Sequence, residues 1–306
     1  MIAVDHLSHR YPGDRAARPA LDRVSLHVES GQFCAVIGPN GSGKSTLFRI
    51  LSGAVSPSEG RITLDGAPAG SAAARRALGV VFQAPALDGV LTVRENLALW
   101  GRLHGLSGRR LAARIDDVTA WTRIGDRLDA RAATLSGGQQ RQAELAKCLI
   151  PEPPVLLLDE PTTGLDPAGR AAFSEVLGTL RHDTGLTVLM TTHVFDEAQA
   201  ADLVVVMQSG KVIAMDTPST LAARLGAEMV VISCREPGRL AARLRAESLS
   251  VRATAEDVRV GDLDREAALR LVADILDRHG SQITSIAIKQ PTLTDVFLAL
   301  TGETVQ

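Results

Sequence analysis

Cysteine is scarce in this chain: Cys34, Cys148 and Cys234 are the full complement, far apart and without the paired spacing of a disulfide framework or zinc site. A reducing compartment is the expected setting. Long apolar runs are also missing. Nowhere do the roughly 18 consecutive apolar residues of a membrane span occur, so any membrane role must come through a partner. Met1 to Arg10 carries Asp5 and two histidines instead of an apolar stretch, and no secretory signal is expected there. A surplus of one charge is lacking too. The 33 basic and 35 acidic side chains leave a net charge of -2, which offers no footprint for a polyanion and makes nucleic acid an unexpected partner. Arginine so outnumbers lysine that Lys44, Lys147, Lys211 and Lys289 each become informative. Aromatics make up 3% of the chain, with Tyr11 the single tyrosine.

What is present describes a folded chain of two parts. At 306 residues with 45% hydrophobic content, it exceeds one typical core and is expected to form a large domain and a small one. From Ile2 to about Thr217, apolar β-branched runs alternate with helical stretches, the pattern of a mainly parallel sheet flanked by helices. Phe33-Ile37, Val155-Leu158, Thr187-Thr191 and Leu203-Met207 read as strands buried on both faces. Strands stop between about residues 92 and 134, which read as a helical insert with Trp100 and Trp121 in its core. A boundary is expected at Thr217-Pro218, giving domains of 1–220 and 221–306. The second reads as a small βαββαβ sandwich: strands at Glu228-Ser233, Leu249-Thr254, Val258-Val260 and Ile283-Ile288, helices at Gly238-Glu247 and Asp264-His279. In the longer helix Ala268, Leu271, Val272, Ile275 and Leu276 share one face, with Gly280 just past its end.

The chemistry concentrates in the first part. After Phe33-Ile37 comes Gly38-Pro39-Asn40-Gly41-Ser42-Gly43-Lys44-Ser45-Thr46, which matches the phosphate-binding loop GxxxxGK[ST] between a strand and a helix. The glycines let backbone N–H groups wrap a phosphate, the helix beginning near Lys44 points its positive end at the anion, and Lys44 adds a full charge. Ser45 suits Mg²⁺ through its hydroxyl. Val155-Leu158 runs into Asp159 and Glu160, two acids at the end of a buried strand, where a carboxylate has little place unless it meets a cation or substrate. Asp159 is assigned to Mg²⁺. Glu160, beside another carboxylate, is expected to have its pKa raised and to act as a general base toward water. The competing reading for the pair is a cap on the following helix.

Leu135-Ser136-Gly137-Gly138-Gln139, followed by Gln140-Arg141, resembles the signature of the ATP-binding-cassette (ABC) ATPases, and opens a helix running to Ile150. The resemblance covers about residues 2 to 220 and implies a P-loop NTPase fold of α/β class with ATP and Mg²⁺ as ligands. It also implies roles for residues that are unremarkable alone. Tyr11 resembles the aromatic that stacks on adenine, although core packing is its other reading. Gln83 resembles the glutamine that reaches Mg²⁺ and attacking water and reports to the membrane partner. His193 is similar to the histidine placed against the γ-phosphate. Asp166, in Gly164-Leu165-Asp166, resembles the residue linking two active sites. The implied nucleotide contacts are Tyr11, Gly38, Asn40, Gly41, Ser42, Gly43, Lys44, Ser45, Thr46, Asp166 and Ser136, Gly137, Gly138 and Gln139 from the signature.

Within the family, Leu91-Leu97 and Pro161-Pro167 resemble ATPase subunits of drug-exporting, ABC-2-type transporters. Gln290-Gly302 is similar to the tail of daunorubicin-resistance-type ATPases. Val93 departs from the usual glycine, and the Phe195 region from the usual methionine. The resemblance implies an ATPase that powers a separately encoded membrane permease to export a drug-like or other small molecule. A second ATP-binding subunit, first of all another copy of this chain, completes the pair. The chain would then be cytoplasmic, peripheral on the inner face of the membrane through its permease. The alternative is an ABC ATPase with no transport role; its usual second cassette or long insertion does not fit between Lys44 and Ser136. A third reading makes the small domain, expected to be ferredoxin-like α+β, a ligand-binding module. The pairs Arg75-Arg76 and Arg109-Arg110 read as solvated helix faces.

Overall fold

A computed structural model describes residues 1–11, 18–84, 86–247, 249–254, 256–279 and 282–301. Gly280 and Gly302 lie outside the described residues. The chain forms two compact units, Met1–Ile213 and Ala214–Gln306.

Unit 1 opens with β1 (Ile2–His9) and β2 (Leu21–Val28), followed by β3 (Phe33–Ile37) and helix α1 (Lys44–Leu51). Next come β4 (Glu59–Leu64), the short β5 (Ala67–Pro68), α2 (Ala72–Arg76) and β6 (Leu78–Val81). The helices α3 (Val93–Leu103), α4 (Gly108–Thr122) and α5 (Gly137–Leu149) precede β7 (Val155–Asp159). Then α6 (Pro167–Thr184), β8 (Thr187–Thr191), α7 (Phe195–Gln199) and β9 (Leu203–Gln208) follow, and β10 (Lys211–Asp216) begins in this unit and ends in the next.

These strands make two sheets where one was expected. A six-stranded sheet runs β10-β9-β3-β8-β7-β6, with β9, β3, β8, β7 and β6 parallel. Its strands β3 and β8 are buried at every position, as parallel strands covered on both faces should be. The other sheet, β2-β1-β4-β5, is antiparallel. Its β2 alternates buried and exposed side chains, so only one face meets the core. Between the sheets, α1 buries Leu47, Phe48, Ile50 and Leu51, which join Ile2 and Leu26 of one sheet to Val36, Leu157 and Val205 of the other in one core. Each such fully buried side chain contributes about 1.5–3 kcal/mol, and this packing fixes where the loop ahead of α1 sits.

The tryptophans depart from expectation. Trp100 and Trp121 are half-buried, and each carries a cation over its ring: Lys147 at 4.9 Å and Arg114 at 5.0 Å. A rim position lets each indole face take a cation–π contact, although Trp100 Nε1 is itself buried without a hydrogen-bond partner. Arg75, Arg76, Arg109 and Arg110 are all exposed.

Unit 2 contains α8 (Pro218–Ala223), β11 (Glu228–Cys234), α9 (Pro237–Ala246), β12 (Ser250–Ala253), β13 (Asp257–Leu263), α10 (Arg265–His279), β14 (Ile283–Lys289) and α11 (Leu293–Thr301). Its antiparallel sheet, ordered β12-β13-β11-β14, gives the ferredoxin-like split βαβ arrangement. Ala268 and Ile275 of α10 are buried in its core, with Leu271 and Val272 packed against them. Leu276, expected on that face, is 47% exposed, lying where the apolar stripe has rotated out to solvent. The tail after Lys289 ends in a helix that periodicity did not reveal.

Candidate functional site

Parallel strands with common register bring their carboxyl ends to one edge, where ligands of such sheets bind. Thr191 pairs with Asp159 across β8 and β7 and with Val36 across β8 and β3, while Val81 pairs with Leu158. The segments after β3, β6, β7 and β8 therefore converge, although they span residues 38 to 193.

The loop after β3 is shaped for close approach. A Cβ on Gly38 would strike the Met207 carbonyl oxygen and Ser42 Oγ; one on Gly43, at φ 106°, would lie 2.7 Å from the Ala20 carbonyl oxygen. Helix α1 begins with no side-chain cap, so its first N–H groups are left for an outside acceptor. Ser42 Oγ is buried without a hydrogen-bond partner. Lys44 is 6% exposed, and its Nζ donates to the carbonyls of Gly38 (2.6 Å) and Pro39 (3.1 Å). Burial pulls the ammonium pKa down, opposed by Glu160 and Asp159. A cavity of about 170 Å³ lies here, lined by Asn40 to Thr46 together with Ala20 and Glu160. An uncapped helix start, an orphaned hydroxyl, a lysine and two acids form a donor set that fits a polyphosphate with a divalent cation.

Across the cavity, burial raises the Asp159 pKa, while the Thr191 hydroxyl, donating at 2.6 Å, opposes it. Glu160 Oε2 collects three neighbours: Gln83 Nε2 at 3.3 Å, Thr163 Oγ1 at 3.3 Å and His193 Nδ1 at 3.4 Å. Gln83, Glu160 and His193 are thus brought together. Glu160 is not a helix cap; its backbone sits at φ 44°, in the left-handed region, and its N–H donates to the Thr191 carbonyl at 3.0 Å. Tyr11 is 38% exposed, which rules out core packing, and its hydroxyl lies 3.4 Å from Thr46 Oγ1.

The signature residues stand apart from the cavity lining. Ser136 and Gln139 form a reciprocal capping box on α5, with Gln139 N–H to Ser136 Oγ at 3.3 Å and Ser136 N–H to Gln139 Oε1 at 3.1 Å. Asp166 caps α6 by accepting from Gly169 N–H at 2.7 Å. Leu165 is the side chain nearest to a Cβ built on Gly137, at 3.5 Å.

Residues 21–163 match the ABC transporter family. The chain is 41% identical to daunorubicin resistance ATP-binding protein DrrA3 of Streptomyces coeruleorubidus over 99% of its own length and 96% of that protein. The family is settled by that match. This chain belongs to the ABC transporter family. The cassette is also 38% identical to Nod factor export ATP-binding protein I of Rhizobium meliloti, over 93% of its length and 84% of the relative. Among solved structures it is similar to cbiO1 of Clostridium perfringens, with TM-score 0.67 and 32% identity over 72% of this chain and 90% of that one. The dimeric bacterial ABC transporter cassette MJ0796 gives TM-score 0.65 at 28% identity, over 71% and 98% of the two chains.

Two buried networks in the cassette escaped the sequence reading. Arg141, on α5, donates to the carbonyls of Phe82 (2.7 Å) and Gln83 and to Glu144 (2.7 Å), while Glu144 accepts from the Ala86 N–H. Lys147 adds a bond to the Ala86 carbonyl at 2.7 Å. The segment carrying Gln83 is therefore tied to the helix headed by the signature. Glu197, on α7, accepts from the hydroxyls of Thr162 and Thr192 (2.6 Å), joining the stretch after Glu160 to the one before His193. A signal existed only for Arg141, as part of the signature string; Glu144 and Glu197 are helix-borne acids with no local feature marking them.

Proposed function

We propose that the cassette hydrolyses MgATP and couples the reaction to a separate membrane permease that exports a small organic molecule. The relatives named for daunorubicin resistance and Nod factor export support the transport direction. The observation that carries the chemistry is Glu160 Oε2 beside Gln83 and His193 at the mouth of the Lys44 loop. No helix among the described residues is long and apolar enough to cross a membrane, so the coupling requires a partner.

In this reading the N–H groups from Gly41 to Thr46 and the Lys44 ammonium bind the β- and γ-phosphates, and Tyr11 offers a ring face to adenine. Ser45 and Asp159, with Gln83 within reach, would hold Mg²⁺, which would supply charge neutralisation at the phosphate oxygens. Glu160 takes the proton of the attacking water, Gln83 orients that water, and His193 steadies Glu160 and faces the γ-phosphate. Ser136, Gly137 and Gly138 cover the nucleotide of a second subunit, and Asp166 lies at the seam. Lys44→Ala should weaken MgATP binding at least tenfold, because a full charge on the phosphates is lost. Glu160→Gln should bind MgATP as well as the parent and turn over at least a hundredfold more slowly. Equal loss of binding in both, by equilibrium titration, would overturn this division of roles.

A further inference from the structure

Unit 2 holds a cavity of about 520 Å³, within the range that accommodates small organic ligands. Its walls carry four arginines, Arg224, Arg245, Arg252 and Arg259, against two aspartates, Asp262 and Asp295. Arg252 and Arg259 are register partners on β12 and β13, so two like charges face each other on one sheet, an arrangement that repels unless a counter-charge intervenes. Arg259 has its counter-charges: Asp257 at 3.0 Å and the 2%-exposed Asp295 at 2.5 Å. Asp295 is committed further, since its other oxygen accepts from Thr292 N–H at 2.8 Å and Thr292 Oγ1 at 2.7 Å. Arg224 is held by Asp216 at 3.1 Å.

Two guanidinium charges remain. Arg245 donates its Nε to the Val251 carbonyl at 3.2 Å and meets no carboxylate among the described residues. The Arg252 side chain makes no hydrogen bond or ion pair among the described residues, and its attraction to Asp295 is long-range only. Partial burial pulls its pKa down, while Arg252 and Arg245 both remain exposed, so their donors are open to a ligand entering the cavity. Leu225, Met229 and Leu298 add apolar lining to the same cavity.

We propose that this cavity binds a small amphipathic oxyanion, its phosphate or carboxylate head taken by Arg252 and Arg245 and its apolar body laid against Leu225 and Leu298. A planar guanidinium with all its donors unused is suited to a two-pronged grip on such a head. The site lies wholly within unit 2 and takes a ligand other than the nucleotide.

The test uses the full chain and three probes below their aggregation limits: octyl phosphate, octanoate and octanol, titrated by calorimetry. Saturable binding of one or both anions and none of octanol is the expected result, the tighter anion naming the head group. Arg252→Gln, and Arg245→Gln as the second variant, should weaken that binding at least tenfold. Lys44→Ala should leave it unchanged, which separates this site from the phosphate loop. The proposal is overturned if neither anion binds saturably, if octanol binds as tightly, or if both folded arginine variants bind as the parent does.

Discussion

Replacing Arg141 by methionine tests whether the segment holding Gln83 is built from the α5 helix. The side chain of Arg141 is 7% exposed and that of its partner Glu144 is 4% exposed, so removal of the guanidinium strands a carboxylate that water barely reaches. Breaking a buried pair in this way costs about 3–5 kcal/mol. The two carbonyls that also lose Arg141 belong to Phe82 and Gln83, which are exposed residues and can turn to solvent, so the lower end, about 3 kcal/mol, is the expected figure. Removing Glu144 as well, in Arg141→Met with Glu144→Leu, abolishes the stranded charge and leaves chiefly the Ala86 N–H unpaired, for about 1–2 kcal/mol. The double variant should therefore be more stable than the single one. Urea unfolding followed by tryptophan fluorescence is the assay, because Trp100 and Trp121 both lie in unit 1 and report that unit alone. In parallel, the single variant should lose ATP turnover while binding MgATP, since the phosphate loop is untouched. A single-variant cost below about 1 kcal/mol, or a double variant no better than the single, would refute the reasoning.

Glu197→Ala should destabilise unit 1 by about 2–5 kcal/mol, since the buried Thr162 and Thr192 hydroxyls each lose a partner, with Glu197→Gln milder; equal urea midpoints for parent and alanine variant would count against the bridge. Burial pushes the Cys34 and Cys148 thiols from 9.0 up to about 12. An acid whose pKa is raised on folding stabilises below its unfolded pKa and loses that contribution as pH rises through the folded one. Stability should thus fall between about pH 9 and 12, less steeply in Cys34→Ala, and a disulfide-exchange reagent at pH 8 should label at most one thiol before urea is added. Finally, Lys44→Ala and Ser136→Arg chains, each unable alone to occlude labelled ATP in a Glu160→Gln background, should recover partial occlusion when mixed. No recovery with mixed dimers present would mean a site completed within one chain or a requirement for both sites at once, which ATP-dependent dimerisation of each variant alone would distinguish.

What was legible in the sequence depended on whether the information was local. The loop at 38–46 and the opening of α5 announce themselves because close phosphate approach and an exposed helix start restrict consecutive residues. Strands β3, β7, β8 and β9 were equally plain as unbroken apolar runs. The antiparallel sheet was not, because β1 breaks its register between Val4 and Leu7 and again before His9, which blurs the two-residue alternation. The convergence of Gln83, Glu160 and His193 came only through a family likeness, as nothing in their spacing dictates it. The bonds of Glu144 and Glu197 join residues 58 and 35 positions apart, a distance at which no periodicity can point from one partner to the other.

The left-handed backbone at Glu160 has a bearing on engineering. A non-glycine residue in that conformation costs of the order of 1–3 kcal/mol, held in place here by the hydrogen bond from its N–H to the Thr191 carbonyl. Glycine carries no such penalty. A search for heat-resistant variants that scores only survival of the fold will therefore find Glu160→Gly among its gains, and each such gain removes the residue proposed above to activate water. Selection for thermal tolerance in this cassette has to be run with turnover as a second criterion, because at this position the two demands are opposed by the geometry of one peptide unit.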